Sequence, residues 1–271
     1  MTAQNRDLGA IARLFRISGG DDTTVRAGEG ALLLLFPRGQ RLGVATLRDT
    51  VAGAQGIAVT SNLGEGDSAL PQGIELLRDG MTYDLVGAAP GPGIALPLLD
   101  YRLGVPREMV GSEHEALALQ PGPHLAPGAR SMPVVRTMMG VAAMIVAHLP
   151  GLRAVAWPAA GTVIGPDFFV SSMTAWLAGG AFPALGLTSF APVADGGLRS
   201  EGLAFFTGQE LQLATELAED RAAGTRLGVR LVNQLVGQGQ VTAAEAIIGP
   251  AGERLTLEPS LDARTVRVRR G

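Results

Sequence analysis

The chain of 271 residues contains no cysteine and no lysine. Without cysteine there is no disulfide scaffold, thiol nucleophile, iron–sulfur cluster or cysteine-ligated zinc. Without lysine there is no Walker A lysine, no Schiff base and no kinase-type ATP lysine. All 22 basic residues are arginine. Histidine is confined to His114, His124 and His148. A three-histidine zinc site would use every one of them, and no HExxH spacing occurs. There is no G-x-S-x-G elbow, and no G-x-G-x-x-G follows a strand. The net charge of −3 gives no global electrostatic reason to seek nucleic acid or anionic lipid. The most apolar run, residues 138–147, is half the ~20 residues a bilayer requires. Residues 1–16 carry four charges and no signal-peptide apolar stretch. The expectation is a cytoplasmic protein with no membrane contact.

What is present suits a buried core. Residues 31–36 (ALLLLF) form a continuous apolar run that fits a strand covered on both faces. Residues 42–54 have helical apolar spacing, and 57–60 read as a short strand. Arg78-Asp79-Gly80 between 74–77 and 82–86 is a hairpin signal. A leading helix is expected at 7–17 and a strand at 115–119. The stretch 88–133 is rich in Pro and Gly and marks a lobe boundary.

Beyond it, Ser131 and Pro133 open a helix that Pro150-Gly151 stops. Residues 154–157 read as a buried strand. Gly165-Pro166-Asp167 starts a helix with Phe169, Met173, Trp176 and Leu177 on one face. An antiparallel hairpin is expected from 184–190 and 198–206, then a Thr207-Gly208 turn into 210–213. A long helix follows at 217–236, with Leu227, Leu231, Val232 and Leu235 as its stripe. Strands or a short final element are expected at 241–248 and 265–268.

The order predicts an α+β fold of two lobes, each a mixed, mostly antiparallel sheet covered by helices. The lobes are placed at 1–105 and 106–271, with a duplicated strand-helix-strand-hairpin unit as one arrangement the order allows.

The segments Phe182-Pro183-Ala184-Leu185-Gly186-Leu187 and Gly202-Leu203-Ala204-Phe205-Phe206-Thr207-Gly208-Gln209-Glu210-Leu211 resemble a bacterial family known as domain of unknown function 4261. In that family a hairpin ends in a Thr-Gly-Leu-like strand, followed by a Gly turn and a strand bearing a Glu. The resemblance covers about residues 150–240; here Phe205-Phe206-Thr207-Gly208 runs through the turn. It implies a fold and a bacterial, intracellular accessory role, and it brings no catalytic residue.

Candidate site residues are few. Thr207, Gln209 and Glu210 cluster at a turn, either as the rim of a ligand or partner surface or as turn chemistry with Glu210 solvated. Arg199 and Glu201 lie two apart on a strand and share a face. Glu113, His114 and Glu115 precede His124, but strand alternation lets at most two of the row converge on a metal. Tyr83 and Asp84 should point to opposite sides. His148 caps a helix end. Trp157, Trp176, Phe168, Phe169, Phe205 and Phe206 are expected to fill the second lobe's core. Arg264, Arg267, Arg269 and Arg270 form a basic tail, read as a charge-blunted edge strand or an anion contact. No catalytic residue, cofactor or metal centre is predicted. The favoured function is a non-enzymatic, immunity-type accessory module with a protein partner. The alternative is a small-molecule-binding or hydrolytic enzyme with an inter-lobe site drawn from Arg199, Glu201, His114 and His124.

Overall fold

The computed structural model describes residues 24–28, 30–66, 70–106, 113–249 and 252–271. The helix expected at 7–17 lies outside them. The protein is α+β, with two sheets. The chain divides into two compact units, residues 1–158 with 163–177, and residues 159–162 with 178–271. Positions 105 and 106, the expected lobe boundary, fall inside the first unit.

The first sheet contains β1 (Thr24–Val25), β2 (Leu32–Pro37), β3 (Ala58–Leu63), β4 (Gln72–Arg78), β5 (Met81–Ala88), β6 (Gly93–Ile94), β7 (Tyr101–Leu103), β8 (His114–Pro121), β9 (Ala154–Trp157) and β10 (Thr162–Ile164). Its main path runs β3-β4-β5-β8-β2-β9-β10-β7. β2 sits inside it, antiparallel to both β8 and β9. That position explains its unbroken apolar sequence: Leu32, Leu34 and Phe36 bury one face while Leu33 and Leu35 bury the other. The β4–β5 turn has Asp79 at φ 49° and Gly80 at φ 76°, the two left-handed residues that match the twist of a tight hairpin. β3 extends to Leu63, beyond the short strand expected at 57–60.

Three longer helices belong to this unit: α1 (Val44–Ala52), α2 (Met132–Val146) and α3 (Pro166–Leu177). α2 starts after Ser131, as its sequence suggests, although the Ser131 side chain makes no capping bond. Tyr83 of β5 donates its hydroxyl to the Val134 carbonyl of α2 at 3.0 Å, which pins the helix to that face of the sheet. Arg136 of α2 stacks 4.8 Å over the Trp176 ring of α3. No helix among the described residues is long and apolar enough to cross a membrane.

The second unit holds β11 (Ser189–Pro192), β12 (Leu198–Glu201), β13 (Glu210–Leu213), β14 (Glu245–Ile248), β15 (Arg254–Pro259) and β16 (Thr265–Arg270), in the order β11-β12-β13-β16-β15-β14. Only the β13–β16 pair is parallel. The two sheets differ in strand number and order. Four helices accompany it: α4 (Ala184–Leu187), α5 (Leu203–Thr207), α6 (Thr215–Ala218) and α7 (Arg221–Gln238).

Three sequence expectations change here. The strands expected over 184–190 and 198–206 are shorter. α4 replaces the start of the first, and Gly202 at φ 91° ends the second and turns the chain into α5. The long helix is two helices, because the Asp220 carboxylate accepts from the Ala222 and Ala223 amides and restarts the chain as α7. β16 is an interior strand, so its arginines do not blunt an edge.

Alternation sorts the faces of this sheet. Leu198, Leu211, Leu213, Leu255, Leu257, Val266 and Val268 are buried. Arg199, Arg267 and Arg269 are exposed on the opposite face. The expected aromatic core is also divided. Trp157, Phe169 and Trp176 belong to the first unit, Phe168 is 42% exposed, and Phe205 and Phe206 belong to the second.

Candidate functional site

Thr207, Gln209 and Glu210 do come together, and each is committed to holding the chain. Thr207 Oγ1 donates to the Gln209 carbonyl at 2.9 Å and accepts from the Gln209 amide at 3.2 Å. Gly208, at φ 80°, supplies the positive φ of the turn, as expected. Gln209 is 1% exposed. Its Nε2 donates to the Val241 carbonyl at 3.1 Å, and its Oε1 accepts from the Val241 amide at 2.8 Å. One side chain thus satisfies both backbone groups of a residue that no strand accompanies.

Glu210 is not solvated. Its carboxylate accepts from Ser200 Oγ at 2.5 Å, the Gly202 amide at 3.0 Å and the Ala204 amide at 3.1 Å. Ser200 Oγ in turn accepts from the Leu211 amide at 2.7 Å. Burial pushes the Glu210 carboxyl above the usual glutamate range; the Ser200 hydroxyl and the amides at Ala204, Gly202 and Leu203 pull it back only in part. These contacts fix the passage from β12 through α5 to β13.

Arg199 and Glu201 project from β12 into solvent. Cross-strand register puts Arg199 opposite Gln212 of β13, Gln212 opposite Arg267 of β16, and Arg267 opposite Glu258 of β15. Four adjacent strands therefore present one polar row, Arg199-Gln212-Arg267-Glu258. Arg269 lies beside it and pairs with Glu258 at 3.4 Å. Arg199 and Arg267 are two strand spacings apart, about 10 Å.

The row of possible metal ligands separates. Arg41 Nε donates to Glu115 at 2.9 Å, and this pair is largely buried, 12% and 27% exposed. The same guanidinium donates to the Gly87 carbonyl, and to that of Gly91 at 3.2 Å. A cation of the protein thus already occupies Glu115. His124 is exposed, with Nδ1 at 3.3 Å from Thr82 Oγ1. Among the described residues no three His, Asp or Glu are placed to hold a metal. His114 and His124 belong to the first unit, and Arg199 and Glu201 to the second. His148 Nδ1 lies 2.8 Å from the Met144 carbonyl, which fits the expected helix-end role.

Two features escape sequence reasoning. In the first sheet, Ser61 faces Glu75, Glu75 faces Asp84, and Asp84 faces Gln120 across four strands. Glu75, Asp84 and Gln120 are 2%, 5% and 2% exposed. Thr60 Oγ1 donates to Glu75 at 2.5 Å, and Gln120 Oε1 accepts from the Gly28 amide at 3.0 Å. Tyr83 and Asp84 do point to opposite faces, but both are buried, because this sheet is covered on both sides. Burial also pushes the Tyr83 phenol up to about 12.

The second feature is a cleft of about 400 Å³ in the second unit, bounded by α6, the first half of α7, Glu253 and Arg270. Leu227 lies in it half-buried, although its spacing placed it on the core stripe. The buried contact face of α7 is Gly224, Gly228, Leu231, Val232 and Leu235. Leu231, Val232 and Leu235 of the expected stripe lie on this face and only Leu227 does not; Gly224 and Gly228, which carry no apolar signal, continue the face in its place.

Comparison with protein families, with curated proteins and with solved structures finds no match.

Proposed function

We propose that this protein is a cytoplasmic, immunity-type accessory module that binds a partner protein through the open face of its second sheet. The carrying observation is the row Arg199-Gln212-Arg267-Glu258, displayed on four strands whose other face is apolar and buried. Gln212 donates to Asp195 at 3.3 Å and Glu258 pairs with Arg269, but among the described residues neither Arg199 nor Arg267 forms an ion pair, whereas Thr207, Gln209 and Glu210 are consumed by the fold. Arg199 and Arg267 call for a partner segment carrying carboxylates, since guanidinium and carboxylate match as paired donors and acceptors. Glu258 and Arg269, already paired, set the limit of the basic stretch and favour one register of docking.

The test is affinity purification of the full chain from cells that express it natively. The expected result is one stoichiometric protein partner, lost on the double reversal Arg199→Glu and Arg267→Glu with thermal stability unchanged. Recovery of no partner, or of a partner that ignores the reversal, overturns the proposal.

A further inference from the structure

We propose that the partner element seated on the open face of the second sheet is an acidic α-helix laid across its strands, with carboxylates seven residues apart over Arg199 and Arg267. It depends on the partner surface proposed above, and it adds the secondary structure and charge spacing of the segment received.

Charge on this face is unequal. Alternation turns Arg199, Arg254, Arg267 and Arg269 outward, against Glu201 and Glu258. Glu210 has the same parity on β13, but Ser200 and the Gly202 and Ala204 amides bind its carboxylate within the chain. Asp195, in the β11–β12 turn, accepts from the Gly197 amide at 3.0 Å and from Gln212 Nε2 at 3.3 Å. Glu258 pairs with Arg269. Among the described residues, Arg199, Arg254 and Arg267 form no ion pair. The balance favours an incoming carboxylate at Arg199 and at Arg267, and a neutral residue over Gln212 beside Asp195.

Spacing selects the helix. Arg199, Gln212, Arg267 and Glu258 recur once per strand, about 4.8 Å apart. A helix that crosses the strands brings one residue to the sheet per turn, about 5.4 Å apart. Its positions i, i+4 and i+7 therefore fall over Arg199, Gln212 and Arg267. The i to i+7 separation of about 10.5 Å matches the two strand spacings between the arginines, about 10 Å. An extended segment presents alternate residues about 6.8 Å apart, so its second carboxylate falls between Gln212 and Arg267. One turn further the helix meets Glu258, where an acid is repelled, and the acidic pair ends there. The contact is made by guanidinium tips, so no interlocking of apolar side chains forces the helix to follow the strand direction.

The experiment is a fluorescence-anisotropy titration of four labelled peptides with the full chain at low ionic strength. The first is an alanine-based helix of about 18 residues, long enough to hold its structure, with glutamates at i and i+7. The second carries them at i and i+5, on different sides of the helix. The third keeps i and i+7 but has a proline between them. The fourth has arginines in place of both glutamates. Saturable binding of the first is expected, with the second and third weaker by about tenfold or more, the loss of one charge-assisted hydrogen bond. Arg199→Glu with Arg267→Glu should abolish binding of the first peptide and create binding of the fourth, with the melting temperature unchanged. Absence of saturable binding by the first peptide overturns the proposal, as does binding of the first that survives the reversal. A native partner lost on the reversal, with helical and proline-broken peptides bound equally, leaves the partner surface standing and overturns the helix.

Discussion

The Gln209 side chain does for Val241 what a neighbouring strand would do, donating to its carbonyl and accepting from its amide. Gln209→Ala leaves both backbone groups buried without partners, and should cost about 2–4 kcal/mol in urea unfolding. Gln209→Glu keeps the acceptor and loses the donor, so it should fall short of wild type as well. Glu210 gives a pH-dependent counterpart. Its folded-state value is raised, so the folded chain holds the proton more tightly than the unfolded chain. The stabilisation from that proton is complete below the unfolded value, about 4.3, and is lost as pH rises through the folded value. The stability of wild type relative to Glu210→Gln should therefore fall as pH is raised from about 4.3, and a pH-independent difference between the two would contradict the assigned burial. Neither residue's role was legible in the sequence. The Thr-Gly turn was, because its conformation is local. The partner of Gln209 lies 32 residues away, and those of Glu210 lie 6 to 10 residues back, before and within α5, where they converge only once that helix forms. The same holds for Glu115, whose claim by Arg41 spans 74 residues.

Elements were readable where their cause is local. The Asp79-Gly80 hairpin, the doubly buried β2 and the Pro-opened α3 all carry their determinants within a few residues. The polar row of Ser61, Glu75, Asp84 and Gln120 depends on register across four strands, which no window of sequence contains. On α7 the expected face holds at Leu231, Val232 and Leu235, and departs at Leu227 because glycines continue it. A Cβ on Gly228 would stand 2.5 Å from the Phe190 ring, and one on Gly224 would stand 2.9 Å from the Leu217 carbonyl. These two glycines let α7 approach the sheet, and the small gain in helix propensity from replacing them is outweighed by the clash. Gly228→Leu should lower stability by about 3 kcal/mol or more, measured as a fall in melting temperature. Gly228→Ala combined with Phe190→Leu should recover most of the loss that Gly228→Ala causes alone. An unchanged melting temperature in Gly228→Leu would mean that α7 does not seat on Phe190.

At the scale of the molecule, the α+β class was legible from the alternation of short strands with amphipathic helices. The division of the chain was not. The Pro- and Gly-rich stretch at 88–133 suggested a boundary, yet β8 lies within it and pairs with β2 and β5. Punctuation by Pro and Gly reports turns, and turns occur inside a sheet as readily as between domains. The basic tail shows the same limit. Its alternation was correct in giving Arg267 and Arg269 one face and Val266 and Val268 the other. Its place in the sheet depends on β15, whose pairing with β16 makes that strand interior.

β16 is the keystone of the second sheet, flanked by β13 on one side and β15 on the other. A protease that cut in the Ser260–Arg264 turn and let the following residues escape would therefore do more than trim an end. It would split one sheet into a three-stranded and a two-stranded remnant and bare the apolar inner edges of both. Because the turn is exposed, limited proteolysis there is expected to cost the whole second sheet its cooperative unfolding.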